Sequence, residues 1–514
     1  MSKTIIIIGA GLAGLSAALQ AAENGCNVKL VSSLPSERAQ SVMAEGGINA
    51  ALNTKDENDS PEEHFTDTIK AACGLADPNA VWGMTQAAPE LVHWLLKLGV
   101  KFNMSGYDDV DLRNFGGQKK KRTAFAQSDT GKQIMTAMID AVRRKEASGM
   151  VERFSHHSFL TLRLCGNICC GCVIRDEYSQ EIVELPGNAV IVASGGMHGL
   201  FGNTTGSLSN TGEVTAELFR LGVPLANGEM IQYHPTTVKC GGKRMLISEA
   251  ARGEGGRLFA MKDGKQWYFM EEKYPELGNL MPRDITAREI WKVSHESEVF
   301  LDMTEISKEV ISNKLSGLAD DCMTYLHKDI RKEPVPVLPG IHYFMGGILV
   351  DEQHRTSIQN LYAAGECCAQ YHGANRLGGN SLLGALYGGR VAAKSACEQA
   401  DGVVLSCATQ IDIPPASQIS EIKQLNKVMQ ETMGVVRNEN TLLNGIQTVQ
   451  ALTGNLPLLG MAVLKSALAR KESRGAHWRE DYPKSNDDDY LKTTVARFDG
   501  KQIQISFVPV PERR

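Results

Sequence analysis

No apolar run in this 514-residue chain reaches the eighteen or so residues of a membrane span. The longest candidate, Ile5 to Leu19, is short and broken by glycines, and no charged leader with a cleavage site precedes it. A membrane-spanning or exported protein is therefore not expected, and the expected compartment is the cytoplasm. Neither sign of charge dominates: the formal net charge of −5 argues against general nucleic-acid binding. The twelve cysteines lack the repeated C-x-x-C spacing of a zinc or iron–sulfur site. Cys165, Cys169, Cys170 and Cys172 fall instead in an alternating apolar stretch, Leu160 to Ile174, that reads as a hairpin with small buried hydrophobes. Without an export signal, the cysteines are expected to stay reduced. Internal repeats and low-complexity tracts are also missing. Lys119-Lys120-Lys121-Arg122 is the local exception to the charge balance and reads as a solvated loop.

What is present begins almost at the first residue. Ile5-Ile6-Ile7-Ile8 stops at Gly9-Ala10-Gly11-Leu12-Ala13-Gly14, and an Ala/Leu-rich helix follows. A buried parallel strand explains the unbroken apolar run. Gly9, Gly11 and Gly14 serve the tight turn, the approach of a pyrophosphate and helix packing, with the phosphates on the helix N-terminus. The next strand, Val28 to Val31, ends at Ser32-Ser33 rather than at an acidic residue, so a ribose contact must come from elsewhere or be missing. Two further apolar strands end in glycine, Ala189–Ala193 before Gly195 and Leu361–Ala364 before Gly365-Glu366. Three such strands imply one discontinuous nucleotide-binding domain with a separate lobe inserted at about 236–347. The linker texture of 403–418 then gives way to helical periodicity from Ile419 to Arg470, followed by a charged, aromatic tail.

Chemistry concentrates in two places. The segment His372-Gly373-Ala374-Asn375-Arg376-Leu377-Gly378-Gly379-Asn380-Ser381-Leu382 sets one obligate cation, suited to gripping a carboxylate, among residues that expose the backbone to a flat cofactor. The inserted lobe offers His234 before Pro235, Ser248-Glu249 before Arg252, Arg283-Asp284 after Pro282, and His342 ahead of Gly346-Gly347. Singly these read as loop residues, a helix-surface ion pair and a cap. Together with Arg376 they supply arginines, two histidines, a hydroxyl and a carboxylate.

These segments resemble the flavoprotein subunit of the succinate dehydrogenase/fumarate reductase family from residue 3 to about 492. The motifs occur in family order: Ala44 to Asn49, Asn114 to Gly117, Gln232 to Thr236, Ser248 to Gly256, His342 to Gly347, the Arg376 segment, and Glu472 to His477. The resemblance implies an α/β fold: a Rossmann-like FAD-binding domain (1–235 and 348–402) and an inserted α+β capping domain (236–347), which a loop near 105–130 joins. A linker (403–418) and a C-terminal helical domain with tail (419–514) follow. It implies FAD held by Gly9, Gly11, Gly14, Ser32, Gln40, Ser41, Gly46, Gly47, Gly195, Glu213, Glu366, Ser381 and Leu382. It also implies a dicarboxylate such as fumarate or succinate, with His342 and Arg376 gripping one carboxylate, His234 and Ser248 the other, and Phe115 pressing on the acid. Fumarate would take a hydride from flavin N5 on one alkene carbon and a proton from Arg283 on its neighbour, with Glu249 and Arg252 resupplying that proton.

The chain departs from the family pattern where the membrane-bound members carry a flavin-linked histidine: Gln40 stands there, which implies non-covalent FAD and favours reduction of fumarate. Ser248 replaces a threonine, Glu213 an aspartate, and Ala251 a cysteine. An iron–sulfur partner subunit is implied, and with it association with the inner face of a membrane. Two other readings are L-aspartate oxidase, a relative with a similar clamp, and a non-catalytic flavin-binding relay subunit. Met345 and Phe344, Phe115-Gly116-Gly117, and Leu377-Gly378-Gly379 stand nearer the reductase pattern than the oxidase one.

Overall fold

A computed structural model of the chain describes residues 2–106, 109–207, 209–400, 412–413 and 418–514. Most of the expected linker, 403–418, thus lies outside the described residues. At the centre is a parallel sheet in the order Leu361–Ala363, Ala189–Val192, Thr4–Ile8, Asn27–Ser32, Val151–Ser155. Both faces are covered, which is why the first strand is unbroken isoleucine: Ile5, Ile6 and Ile7 are fully buried. Ile5 and Ile7 pack under the helices Leu12–Glu23 and Asn380–Gln399. Ile6 and Ile8 pack on a sheet built from His157–Cys165, Ile168–Asp176 and Ile182–Pro186.

The two helices approach closely because small residues line their crossing. A Cβ on Gly389 would lie 2.3 Å from the Ala13 carbonyl oxygen, and the Ser16 hydroxyl donates to the Leu386 carbonyl at 2.7 Å. On the other face the expected hairpin is present, with Cys169, Cys170 and Cys172 as buried free thiols inside it. Cys165 departs from the expectation of thiols throughout, being disulfide-bonded.

The inserted lobe holds two antiparallel sheets. One has the order Lys243–Leu246, Ile231–Cys240, Leu338–Phe344; the other has Lys265–Trp267, Arg257–Lys262, Val299–Asp302, Val335–Pro336. The numbers 235/236 and 347/348, expected as its borders, fall inside strands, Ile231–Cys240 and Gly347–Leu349. Phe115 belongs to this lobe's apolar cluster although its loop departs from the nucleotide-binding part. In that loop the basic run divides: Lys119 and Lys121 are exposed, but Arg122 is fully buried and pairs with Asp59 at 2.8 Å and Asp67 at 3.0 Å. A guanidinium with two carboxylates is worth burying; a lysine run is not.

Beyond residue 418 come helices Ile419–Thr432, Glu439–Val449 and Asn455–Ala469. The tail is not irregular at its end: Lys492–Phe498 and Ile503–Pro509 form a hairpin that joins Leu225–Ala226, Gly347–Leu349 and Cys368–Ala369 in a second five-stranded sheet. The signal was an Asp499-Gly500 turn between alternating strands. Buried charge ties this region down. Arg470, with no exposed surface, binds Glu229 and Glu472, equally buried, at 2.7 Å each. Removing the cation leaves buried Glu229 without its arginine, while Glu472 keeps Arg474 at 2.8 Å, so Arg470→Met is expected to destabilise the protein by about 3–5 kcal/mol in urea unfolding. A loss below about 1 kcal/mol would mean that these pairs behave like surface ones.

Candidate active site

A cleft of about 1420 Å³ runs between the C-terminal ends of the parallel strands and the inserted lobe. Its nucleotide wall is shaped by the absence of side chains. At Gly9, with φ of +112°, a Cβ would lie 2.2 Å from the Ala193 carbonyl oxygen, so the turn and the neighbouring strand end close up only around glycine. Gly11 caps helix Leu12–Glu23 without a side-chain acceptor, leaving the helix N-terminus open toward the cleft. Ser41 accepts from the Leu12 amide at 3.2 Å. Gly14 does not face the cleft; its missing Cβ lets the helix lie against Gly9.

Ser32, Gln40, Gly46, Gly47, Gly195, Glu213, Glu366, Ser381 and Leu382 also line the cleft. Ser32 Oγ and Gln40 Oε1 are buried there without hydrogen-bond partners, which is what a wall built to receive a polar cofactor leaves open. Glu366 accepts from the Phe344 amide at 3.1 Å. Burial, with Glu217 adding, raises the Glu213 carboxyl to about 7. These features fit FAD.

Opposite lies the lobe's polar cluster. Arg283 begins helix Arg283–Val293, which aims its guanidinium inward: Nε and Nη2 donate to Glu249 Oε2 at 2.8 and 2.6 Å, and Nη1 to Gln232 Oε1 at 3.0 Å. Glu249 Oε1 accepts from Arg252 at 3.3 Å and from the Gly116 amide at 3.2 Å. Burial would raise the Glu249 carboxyl, but Arg283 and Arg252 outweigh it and hold it below its ordinary value. Arg252 does not reach the cleft surface; it stands behind Glu249, bound to the Asn279 carbonyl at 2.6 Å. The pair is interior, not the helix-surface contact that its i, i+3 spacing taken alone would suggest.

His234 and His342 meet edge to face with ring centres 5.1 Å apart. His234 Nδ1 pairs with the Thr236 carbonyl at 3.0 Å and His342 Nδ1 with the Thr205 hydroxyl at 2.8 Å, leaving each Nε2 for a ligand. Burial, then Arg283, depress both rings well below the ordinary 6.5. Ser248 caps the Glu249 helix and lines the cleft with Phe115.

Arg376 differs from the other arginines here. It lies 4.3 Å above the Tyr343 ring, its Nε is buried without a partner, and no carboxylate pairs with it among the described residues. Burial, then Arg283, push it down to about 9. The glycines after it were expected to admit a flat cofactor. Protein fills that space instead: a Cβ on Gly378 would meet Glu249 Oε2 and Phe115 at 2.9 Å, and one on Gly379 would meet Asn49 at 2.0 Å.

Thr205, Tyr343 and Glu45 were absent from the expected set. Nothing in the Thr204-Thr205 sequence marks a histidine's partner. Glu45, on the cleft wall, is raised to about 8 by burial, with Asp321 adding.

A parallel nucleotide-binding sheet, a glycine-lined cradle and an opposed cationic cluster define a flavin-dependent oxidoreductase. Comparison with known proteins agrees. A family model for an FAD binding domain matches residues 4–382, and one for the C-terminus of fumarate reductase flavoproteins matches 452–513. The succinate dehydrogenase flavoprotein subunit of Bacillus subtilis is 38% identical across 100% of this chain and 98% of its own. The L-aspartate oxidase of Caulobacter vibrioides is 35% identical across 97% and 96%. A solved quinol fumarate reductase of E. coli superposes with a TM-score of 0.90 at 28% identity, covering 99% of this chain and 97% of that one. The chain belongs to the succinate dehydrogenase/fumarate reductase flavoprotein family and binds FAD.

With both histidines neutral, succinate affinity should stay flat as pH is varied through 6.5. Ordinary imidazoles would charge as pH falls through that value and tighten dianion binding. A titration showing such tightening would refute the neutral assignment.

Proposed function

We propose that this chain reduces fumarate to succinate as the flavoprotein subunit of a complex with an iron–sulfur partner. The observation that carries the reading is the charge of the buried cluster. Arg252, Arg283 and Arg376 outnumber Glu249, which pairs with two of them, and Glu366 on the wall near the third, a positive excess that a dicarboxylate would offset. In this reading Arg376 and His342 hold one carboxylate, and His234 and Ser248 the other. Phe115, 2% exposed, presses on the acid from the lobe. Bound FAD supplies the two electrons as hydride to one alkene carbon. Arg283 gives a proton to the adjacent carbon, and Glu249, backed by Arg252, returns it; a buried arginine can act so because the relay carboxylate already touches it. Burial of the whole group keeps competing water away.

Gln40 cannot make the histidyl link of the membrane-bound members, and its open amide oxygen favours a non-covalent contact. No helix among the described residues is long and apolar enough to cross a membrane, in keeping with a cytoplasmic subunit brought to the inner membrane face by its partners. The aspartate oxidase relative makes that activity the competing reading.

Anaerobic protein reduced with dithionite should be reoxidised rapidly by fumarate and, once oxidised, should not bleach with L-aspartate. Bleaching by L-aspartate would move the chain to the oxidase branch. Arg283→Ala should lower kcat by about 10²-fold or more while sparing FAD binding; normal turnover in this variant would remove the proton-donor role. Acid precipitation should leave the flavin in the supernatant, and flavin retained in the pellet would refute non-covalent binding.

A further inference from the structure

We propose that Cys26 and Cys397 form a reversible disulfide that ties together the far ends of the two helices cradling the FAD. Their sulfurs lie 3.0 Å apart although 371 residues separate them in sequence. Cys26 sits just beyond helix Leu12–Glu23, 4% exposed, its amide donating to the Ala21 carbonyl at 3.0 Å. Cys397 lies in the last turn of helix Asn380–Gln399 and is half-buried, within reach of a small oxidant. Lys3 Nζ donates to the Cys397 carbonyl at 2.6 Å and fixes that turn against the first strand.

The same two helices present their opposite ends, Leu12 on one and Ser381 and Leu382 on the other, to the cofactor cleft. Between the two ends they touch at Ser16 with Leu386 and at Ala13 with Gly389. The helix pair is thus joined at its middle by packing, and a covalent bond at one end restrains the spacing at the other. Closing the sulfurs to a bond of about 2 Å needs an approach of about 1 Å, within the reach of small side-chain rotations.

The oxidant is a peroxide. Cys397 sulfur attacks one peroxide oxygen, the O–O bond breaks, and a sulfenic acid and one water result. Cys26 sulfur then displaces the second oxygen as water and the S–S bond forms. Two thiols lose two protons and two electrons, and hydrogen peroxide takes both to become two waters. Burial and the adjoining thiol raise the Cys397 thiol far above its ordinary value, so the pair responds to sustained oxidant and not to a trace. Small thiols reverse the bond by exchange.

The test treats the FAD-loaded protein with hydrogen peroxide, alkylates remaining thiols with N-ethylmaleimide and maps peptides without reduction. The expected result is a joined Cys26–Cys397 peptide pair, two hydrogens lighter than its parts, lost on dithiothreitol treatment and absent from both Cys397→Ser and Cys26→Ala. Oxidised wild type should release FAD more slowly in mild urea than reduced wild type, with no such change in either variant. Alkylation of both thiols under conditions that oxidise the partly exposed Cys240, or a sulfinic acid at Cys397, would overturn the disulfide. A disulfide with unchanged FAD release would overturn its effect on the cradle.

Discussion

The carboxylate of Glu249 is the constraint on which the site depends. A charge buried this completely survives only if cations and hydrogen bonds replace its water. Arg283 supplies two donors, Arg252 one and the Gly116 amide one. That requirement reaches into the backbone, because Gly116 and Gly378 must both lack a side chain for the carboxylate to fit. It draws the 105–130 loop against the lobe and places Phe115 on the cleft. It also fixes where Arg283 points, because both of its contacts to Glu249 hold the guanidinium toward the cleft.

A second set of buried charges holds the frame in which this happens. Arg470, Glu229 and Glu472 lock the third C-terminal helix to the second sheet. Arg437 extends the network through the Glu229 carbonyl and His477. Arg288, in the helix that Arg283 begins, stacks 4.0 Å from the Trp478 ring. The segment after residue 470 therefore braces the capping helix from behind as well as closing the second sheet.

How much of this was legible follows from the range of each signal. The strand–glycine–helix start, the three glycine-ended strands and the cysteine hairpin are local patterns, and the parallel sheet and hairpin stand where those patterns placed them. Glu249 and Arg252 were visible locally only as a pair, because i, i+3 spacing is the same on a surface and in a core; the resemblance, not the spacing, assigned them to the site. The basic run failed likewise: nothing local tells Arg122 from Lys121, and only Asp59 and Asp67, more than fifty residues away, decide that it is interior. Thr205 and Tyr343 act on residues through tertiary contact alone. The terminal hairpin was legible from Asp499-Gly500 and was hidden by the charge of the segment ahead of it.

The cluster uses one residue type for two opposed tasks, and environment separates them. Arg283 has its charge matched by Glu249, which holds the guanidinium in its charged form. Arg376 lies on an aromatic face and feels Glu366 and Glu249 only at a distance, with no carboxylate in direct ion pair among the described residues. Gln232 joins the two: its oxygen accepts from Arg283 at 3.0 Å, and its nitrogen donates to Asn375 and to the Arg376 carbonyl at 3.0 and 2.8 Å. An amide can do this because it is acceptor and donor at once; a carboxylate there would cancel a further positive charge. One arginine is thus left without an ion-pair partner among the described residues and another is committed to Glu249, in a spacing that the buried amide sets.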